Sequence, residues 1–167
     1  MRLQLITMIA AAFLLAACET SEDVEMAADT TTSATTSTTT APVSIAGPTP
    51  GSQEHLVVNV GDRVFYDFDR SDLRPEARAT VEALAVWMSN YPAATLTLEG
   101  HADERGTREY NLALGERRAN SIRDYLVALG IGPNRLSNIS YGKERPAVLG
   151  STEEAWAQNR RGVFVVN

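Results

Sequence analysis

The sequence predicts an α+β two-layer sandwich, with two major helices and a short third helix packed on a mixed four-stranded sheet. Three observations predict it. Four short runs of alternating or β-branched apolar residues are bounded by turn residues. Two longer runs between them repeat their apolar residues at helical spacing. The pattern continues over about 110 residues, enough chain to bury one core.

Order is expected to begin near Val57. Val64, Tyr66 and Phe68 alternate with Arg63, Phe65, Asp67 and Asp69, which is the period of a strand. Pro75 opens a helix at the position where its missing N–H is not needed. Ala77, Val81, Leu84, Ala85 and Met88 mark the inner face of that helix, and Tyr91-Pro92 ends it. Residues 95–99 form a second strand with Leu96 and Leu98 on one face, and residues 100–106 a charged loop. Thr107 caps the second helix, and Glu109 suits the dipole of its first turn. Leu114, Ile122, Leu126 and Leu129 carry its apolar face, and Gly130 stops it. Residues 136–141 make a third strand and 142–150 a loop. Ser151 and Glu154 form a capping box for a short helix, after which Arg160 and Arg161 lead into a last strand at 163–166. No internal repeat is visible.

The chain ahead of this domain divides in two. Residues 1–17 have the form of a signal peptide: Arg2 is its positive end, and the apolar stretch 5–15 is shorter than the ~20 residues that span a bilayer. Leu15-Ala16-Ala17-Cys18 resembles a bacterial lipobox, in which Cys18 becomes the lipid-bearing first residue. Glu19, rather than Asp, follows it, which by analogy with lipoprotein sorting favours the outer membrane. Cys18 is the only cysteine, so internal disulfides, cysteine zinc clusters and cysteine catalysis are excluded together. Residues 18–56 then read as a tether. Positions 30–40 contain only Thr, Ser and Ala, and Pro42, Pro48 and Pro50 follow with Gly47 and Gly51. Such a segment lacks the apolar residues that would offset its ordering entropy and is expected to be disordered. Residues 19–54 of it, fully extended, would reach roughly 120 Å; as a flexible coil they would average about 35 Å.

The net charge of −6 is unevenly placed. Glu19, Glu22, Asp23, Glu25, Asp29 and Glu54 all precede Val57, so the domain at 57–167 is close to neutral. It has no basic stripe for nucleic acid. Its cations are arginines apart from Lys143, a bias that suits planar, bidentate recognition of carboxylates.

The segment richest in chemistry is Glu99-Gly100-His101-Ala102-Asp103-Glu104-Arg105-Gly106-Thr107, followed by Asn111 and by Leu114-Gly115-Glu116-Arg117-Arg118-Ala119. As an enzyme site it is poor. A glycosidase needs one carboxyl of raised pKa, and neighbouring arginines lower such values. His101 has only His55 as a histidine partner, in the expected tether, so no metal or other cofactor is expected. As a recognition site it is better. Asn111, Gly115 and Arg118 share one side of a helix, and Gly115 leaves that side open to a ligand. The first turns of that helix face Asp103 and Arg105. An acid and a base at such a corner can grip a zwitterion, carboxylate to ammonium and guanidinium to carboxylate. They can equally form a structural ion pair, and spacing alone leaves both open.

The segments Gly-His-Ala-Asp-Glu-Arg-Gly-Thr at 100–107, Glu-Tyr-Asn-Leu-Ala-Leu-Gly-Glu-Arg-Arg-Ala at 109–119, Ser-Tyr-Gly-Lys-Glu-Arg-Pro-Ala-Val-Leu-Gly at 140–150 and Gln-Asn-Arg-Arg at 158–161 resemble the peptidoglycan-associated lipoproteins of the OmpA C-terminal-like superfamily. The resemblance covers roughly Val64 to Val166 and implies an OmpA-like fold of βαβαβ type. It implies an outer-membrane lipoprotein, not an enzyme, that binds the peptidoglycan stem peptide at diaminopimelate. It also implies membership of the Tol–Pal system, with TolB as periplasmic partner and a role in envelope integrity and cell division. By the same resemblance Asp103 matches the residue for the diaminopimelate amine and Arg118 the one for its carboxylate. Phe68 and Asp69 match a strand-end pair beside the ligand, and Arg105 and Asn111 further site positions. Asn159 and Arg161 match a motif whose role is structural support. The chain departs from the pattern at Arg108, where many relatives have proline, at Phe65-Tyr66, which inverts the common order, and at Ser151-Thr152, where His-Asp is usual.

Overall fold

The computed structural model describes residues 47–167. The expected signal peptide 1–17, the lipobox with Cys18 and the Thr-rich part of the tether lie outside the described residues.

The elements in chain order are α1 (Gln53–Asn59), β1 (Arg63–Phe65), α2 (Pro75–Asn90), β2 (Leu96–His101), α3 (Arg108–Ala128), β3 (Leu136–Gly142), α4 (Glu153–Asn159) and β4 (Arg161–Val166), with a 3₁₀ turn at Pro133–Arg135. The strands form one sheet in the order β1-β4-β2-β3. β2 and β3 are parallel, as the crossover helix α3 between them requires; β4 is antiparallel to both of its neighbours. The sheet is therefore mixed, and α2 and α3 pack on one of its faces.

Strand alternation decides which side chains meet the helices. Val64 of β1, Leu96 and Leu98 of β2 and Phe164 of β4 point into the core, where they meet Val81, Leu84 and Met88 of α2 and Ile122 and Leu126 of α3. Each side chain of this size, fully buried, contributes roughly 1.5–3 kcal/mol. α3 crosses β2 at a pair of glycines. A Cβ built on Gly115 would lie 2.7 Å from the Gly100 carbonyl oxygen and 2.4 Å from Ser140 Oγ. Neither position can hold a side chain, and the pair sets the distance between helix and strand.

Five expectations are corrected. Order begins before Val57: Ser52 caps α1 by accepting from the His55 N–H, and Leu56 is fully buried. Gln53 bridges α1 to β4, donating to the Phe164 carbonyl (3.1 Å) and accepting from the Val166 N–H (2.7 Å). His55 is therefore part of the domain, its Nδ1 accepting from Trp87 Nε1 at 2.9 Å. β1 ends at Phe65, so Phe68 is no longer in a strand; the chain peels away after Tyr66 N donates to the Arg160 carbonyl. β2 runs on to His101 and β4 starts at Arg161, because the ladder extends past the apolar residues that signal it. α4 is capped by Thr152 rather than Ser151, the Thr152 hydroxyl accepting from the Ala155 N–H. Leu129 caps α3 and is exposed rather than part of its inner face.

Candidate functional site: a charged cavity at the end of β2

Three chain segments converge where β2 ends. The chain just after β2 delivers Asp103, the segment after β1 delivers Phe68 and Asp69, and the first three turns of α3 deliver Tyr110, Asn111, Leu114 and Arg118. Phe68, Asp69, Asp103, Tyr110, Asn111, Leu114 and Arg118 line a single cavity of about 130 Å³.

Arg118 forms its floor. It is fully buried and donates through Nε to the Arg70 carbonyl (2.8 Å), through Nη1 to the His101 carbonyl (2.7 Å) and through Nη2 to the Asp67 carbonyl (3.1 Å). A guanidinium has five N–H groups; three serve these carbonyls, and one on each Nη is left. Burial pulls its pKa down to about 10, against the Asp103 and Asp69 carboxylates, so it remains a cation at neutral pH. The Tyr66 hydroxyl, itself buried, donates to the Arg118 carbonyl at 2.9 Å and fixes this turn of α3 over the sheet.

Asp103 is also buried. Its Oδ1 accepts from the Arg105 N–H (3.2 Å), and its Oδ2 from Arg105 Nη2 (2.6 Å) and Arg160 Nη1 (3.4 Å). Burial works against its charge, but these bonds outweigh it and hold the carboxyl below the usual carboxylate range. Asp103 is thus a fixed anion. Asn111 ties helix to loop, donating to the Arg105 and Thr107 carbonyls at 2.8 and 3.1 Å. Asp69 adopts a left-handed backbone (φ 58°), which aspartate tolerates better than most residues, and accepts from the Tyr110 hydroxyl. Phe68 is 57% exposed at the rim.

Of the residues expected to bind, Phe68, Asp69, Asp103, Asn111 and Arg118 are brought together around the cavity. Arg105 stands beside it, joined through Asp103. Its guanidinium lies 4.0 Å from the centre of the Phe68 ring and 4.1 Å from that of Trp156. Gly115 does not open the helix to a ligand: it abuts Gly100, and its role is the helix–strand approach that sets Arg118 one turn further along. Asn159 holds the 142–150 loop, its Oδ1 accepting from the Ala147 and Val148 N–H groups and its Nδ2 donating to the Val148 carbonyl. Arg161 donates to the Arg145 carbonyl at 3.2 Å and does not line the cavity. His101 is almost fully buried, and burial, followed by the charge of Arg161, lowers its pKa to about 4.

Arg160, Glu153, Trp156 and Tyr110 escaped the sequence reading. Arg160 had a signal, its place in Gln158-Asn159-Arg160-Arg161; its reach to Asp103 did not. Glu153 and Trp156 lie on a helix of about two turns, too short to show a face.

The cavity can therefore present a fixed carboxylate and a fixed guanidinium to one small ligand. At about 130 Å³ it is smaller than the ~300 Å³ at which drug-sized pockets begin. The family model described as the OmpA family matches residues 65–160. A peptidoglycan-associated lipoprotein of Rhizobium meliloti (strain 1021) is 55% identical over 118 residues, covering 71% of this chain and 67% of the relative. The crystal structure of the peptidoglycan-associated lipoprotein from Burkholderia pseudomallei superposes with a TM-score of 0.62 at 40% identity, over 64% of this chain and 90% of that one. The C-terminal domain of Helicobacter pylori MotB shares the fold at 20% identity, with a TM-score of 0.60 over 64% and 84% of the two chains.

Proposed function

Because the chain belongs to the OmpA family, in the branch of the peptidoglycan-associated lipoproteins, we propose that it binds peptidoglycan non-covalently, at the diaminopimelate end of the stem peptide, and does not cleave it. The observation that carries this reading is the pairing of Asp103 and Arg118 across one small cavity. Asp103 takes the ligand's ammonium. The two uncommitted N–H groups of Arg118 take its carboxylate, a charge-assisted and directional contact. Asp103, tied to two arginines and held ionised in a lining that also carries Asp69, Phe68, Leu114, Tyr110 and Asn111, suits holding a charge rather than transferring a proton.

The same reading makes the protein an outer-membrane lipoprotein anchored through Cys18, its domain in the periplasm, linking membrane to wall within the Tol–Pal system in support of envelope integrity and cell division. Phe68 at the cavity rim and Val148 and Leu149 on the 142–150 loop are exposed apolar residues, which supports a protein partner, TolB, on the loops of the domain.

The test compares two stem peptides by calorimetry: one with meso-diaminopimelate at the third position, and one with lysine there, which keeps the ammonium and lacks the second carboxylate. A charge-assisted hydrogen bond contributes roughly 1.5–3 kcal/mol, so the lysine peptide should bind at least about ten-fold more weakly. Asp103→Asn, which keeps the shape and removes the charge, should weaken the diaminopimelate peptide by a similar factor. Equal affinity for the two peptides would remove Arg118 from the reading, and an unaffected Asp103→Asn would remove the site.

A further inference from the structure

The Asp103 carboxylate already holds a cation. Arg105 Nη2 lies 2.6 Å from Oδ2, and the Arg105 backbone N–H occupies Oδ1. An ammonium entering the cavity therefore meets an anion neutralised by Arg105 and by Arg160. Arg160 is fixed: it is buried, and its Nε and Nη2 are bonded to the Tyr66 carbonyl and to Glu153. Arg105 is not fixed in this way. Its side chain is 32% exposed, and its Nε has no partner. A second carboxylate stands at the other end of its fork, with Glu153 Oε2 3.8 Å from Nη1. The rings of Phe68 and Trp156 cover the guanidinium on the way between them, a contact that aromatic faces offer to a cation whatever its hydrogen-bond partner. Phe68 also lines the cavity, so a ligand there touches one wall of the slot that holds Arg105.

We propose that Arg105 is a built-in competitor for Asp103, and that ligand binding moves its guanidinium between the Phe68 and Trp156 rings from Asp103 to Glu153. This rests on the reading of the cavity as an ammonium and carboxylate site. It assigns Glu153, which does not line the cavity, a part in affinity as the acceptor that receives Arg105, and Trp156 the part of the rail it slides along. The ligand's ammonium then takes the Oδ2 position that Arg105 has left, and no cation is stranded. Without Glu153 the exchange leaves Arg105 unpaired, and the ligand binds against that loss.

A double-mutant cycle on the detergent-solubilised full chain tests this, with the tripeptide L-Ala-γ-D-Glu-meso-diaminopimelate as the calorimetric probe. Glu153→Gln keeps an oxygen for Arg160 and should weaken binding roughly two- to five-fold, the range of a partly exposed charge pair. Arg105→Ala, which removes the competitor, should tighten binding by a similar factor. Adding Glu153→Gln to Arg105→Ala should then change nothing further. The indole N–H resonance of Trp156 should shift on saturation in the parent and not in Arg105→Ala. A Glu153→Gln effect that persists without Arg105, or an Arg105→Ala that binds more weakly, overturns the exchange while leaving the cavity reading intact. Failure of the parent to bind the tripeptide overturns both.

Discussion

Arg118 is a fully buried cation whose three hydrogen bonds among the described residues all go to backbone carbonyls, two on the segment after β1 and one at the end of β2. A structural strut and a ligand grip looked like alternatives in the sequence; the geometry makes the residue a strut in any case, with two N–H groups to spare. Arg118→Lys should therefore lower stability as well as binding. An ammonium on a flexible stem cannot reach three carbonyls that a planar fork reaches, and the buried His101 carbonyl left without a donor alone costs about 1–3 kcal/mol. Denaturant titration should show a loss of at least about 1–3 kcal/mol; an unchanged midpoint would mean the carbonyls find other donors. His101 makes a second prediction at this scale. Its folded pKa of about 4 lies below the ordinary histidine value of 6.5, so the unfolded chain takes up the proton first. The stability from keeping it neutral is complete above about pH 6.5 and is lost as pH falls toward 4, by about 3 kcal/mol in all. Asp103, held below the usual carboxylate range, adds its own loss only at lower pH. His101→Gln, neutral throughout, should flatten the melting temperature between pH 6.5 and 4.5, and a variant as steep as the parent would locate the pH dependence elsewhere.

At the scale of elements, legibility followed length and period. α2 and α3 each show an inner face several turns long, and the pair Leu96/Leu98 and the apolar run 163–166 mark β2 and β4. α1 was illegible for a physical reason: Leu56 is its only buried residue, and one residue has no period. Its attachment is made by Gln53, whose amide bonds β4 more than a hundred positions away, and no local pattern encodes that. Gly115 was misread because a glycine on a helix face can mark a gap for a ligand or a close approach of backbone, and only the partner strand distinguishes them. Asp103 and Arg118 could be picked out because both stand in a dense charged motif; Glu153 and Trp156 could not, because they reach the site from across the fold. The α1 attachment gives a sharp prediction. A chain beginning at Gly47 should melt like the parent, whereas one beginning at Val57 loses Leu56 and both Gln53 bonds. Emptying one buried leucine position alone costs about 2–5 kcal/mol, so the shorter chain should show a clear drop in melting temperature. Equal melting of the two would mean α1 is only loosely attached.

At the scale of the whole molecule, the proposed function needs the two ends of the chain to act in different places, a lipid at Cys18 and a wall-binding domain beyond residue 47. Cys18→Ser should release the protein into the soluble periplasmic fraction with stem-peptide affinity unchanged, since stable anchoring takes more than one acyl chain and none would be attached. Fractionation together with mass spectrometry of the mature N-terminus checks this; a membrane-bound serine variant would mean another anchor. The strand order has its own consequence for how the molecule comes into being. β4, the last element in chain order, lies inside the sheet, and Arg63 pairs with Val163 across an interval of a hundred residues. Until β4 arrives, β1 has no neighbour, Asp103 lacks Arg160, and α1 lacks the strand its Gln53 holds. Pairing over such separations makes for slow folding. In a chain that emerges from its N-terminus, β2 and β3 can therefore pair early, while the two earliest elements, α1 and β1, wait for the last one before anything in the sheet holds them.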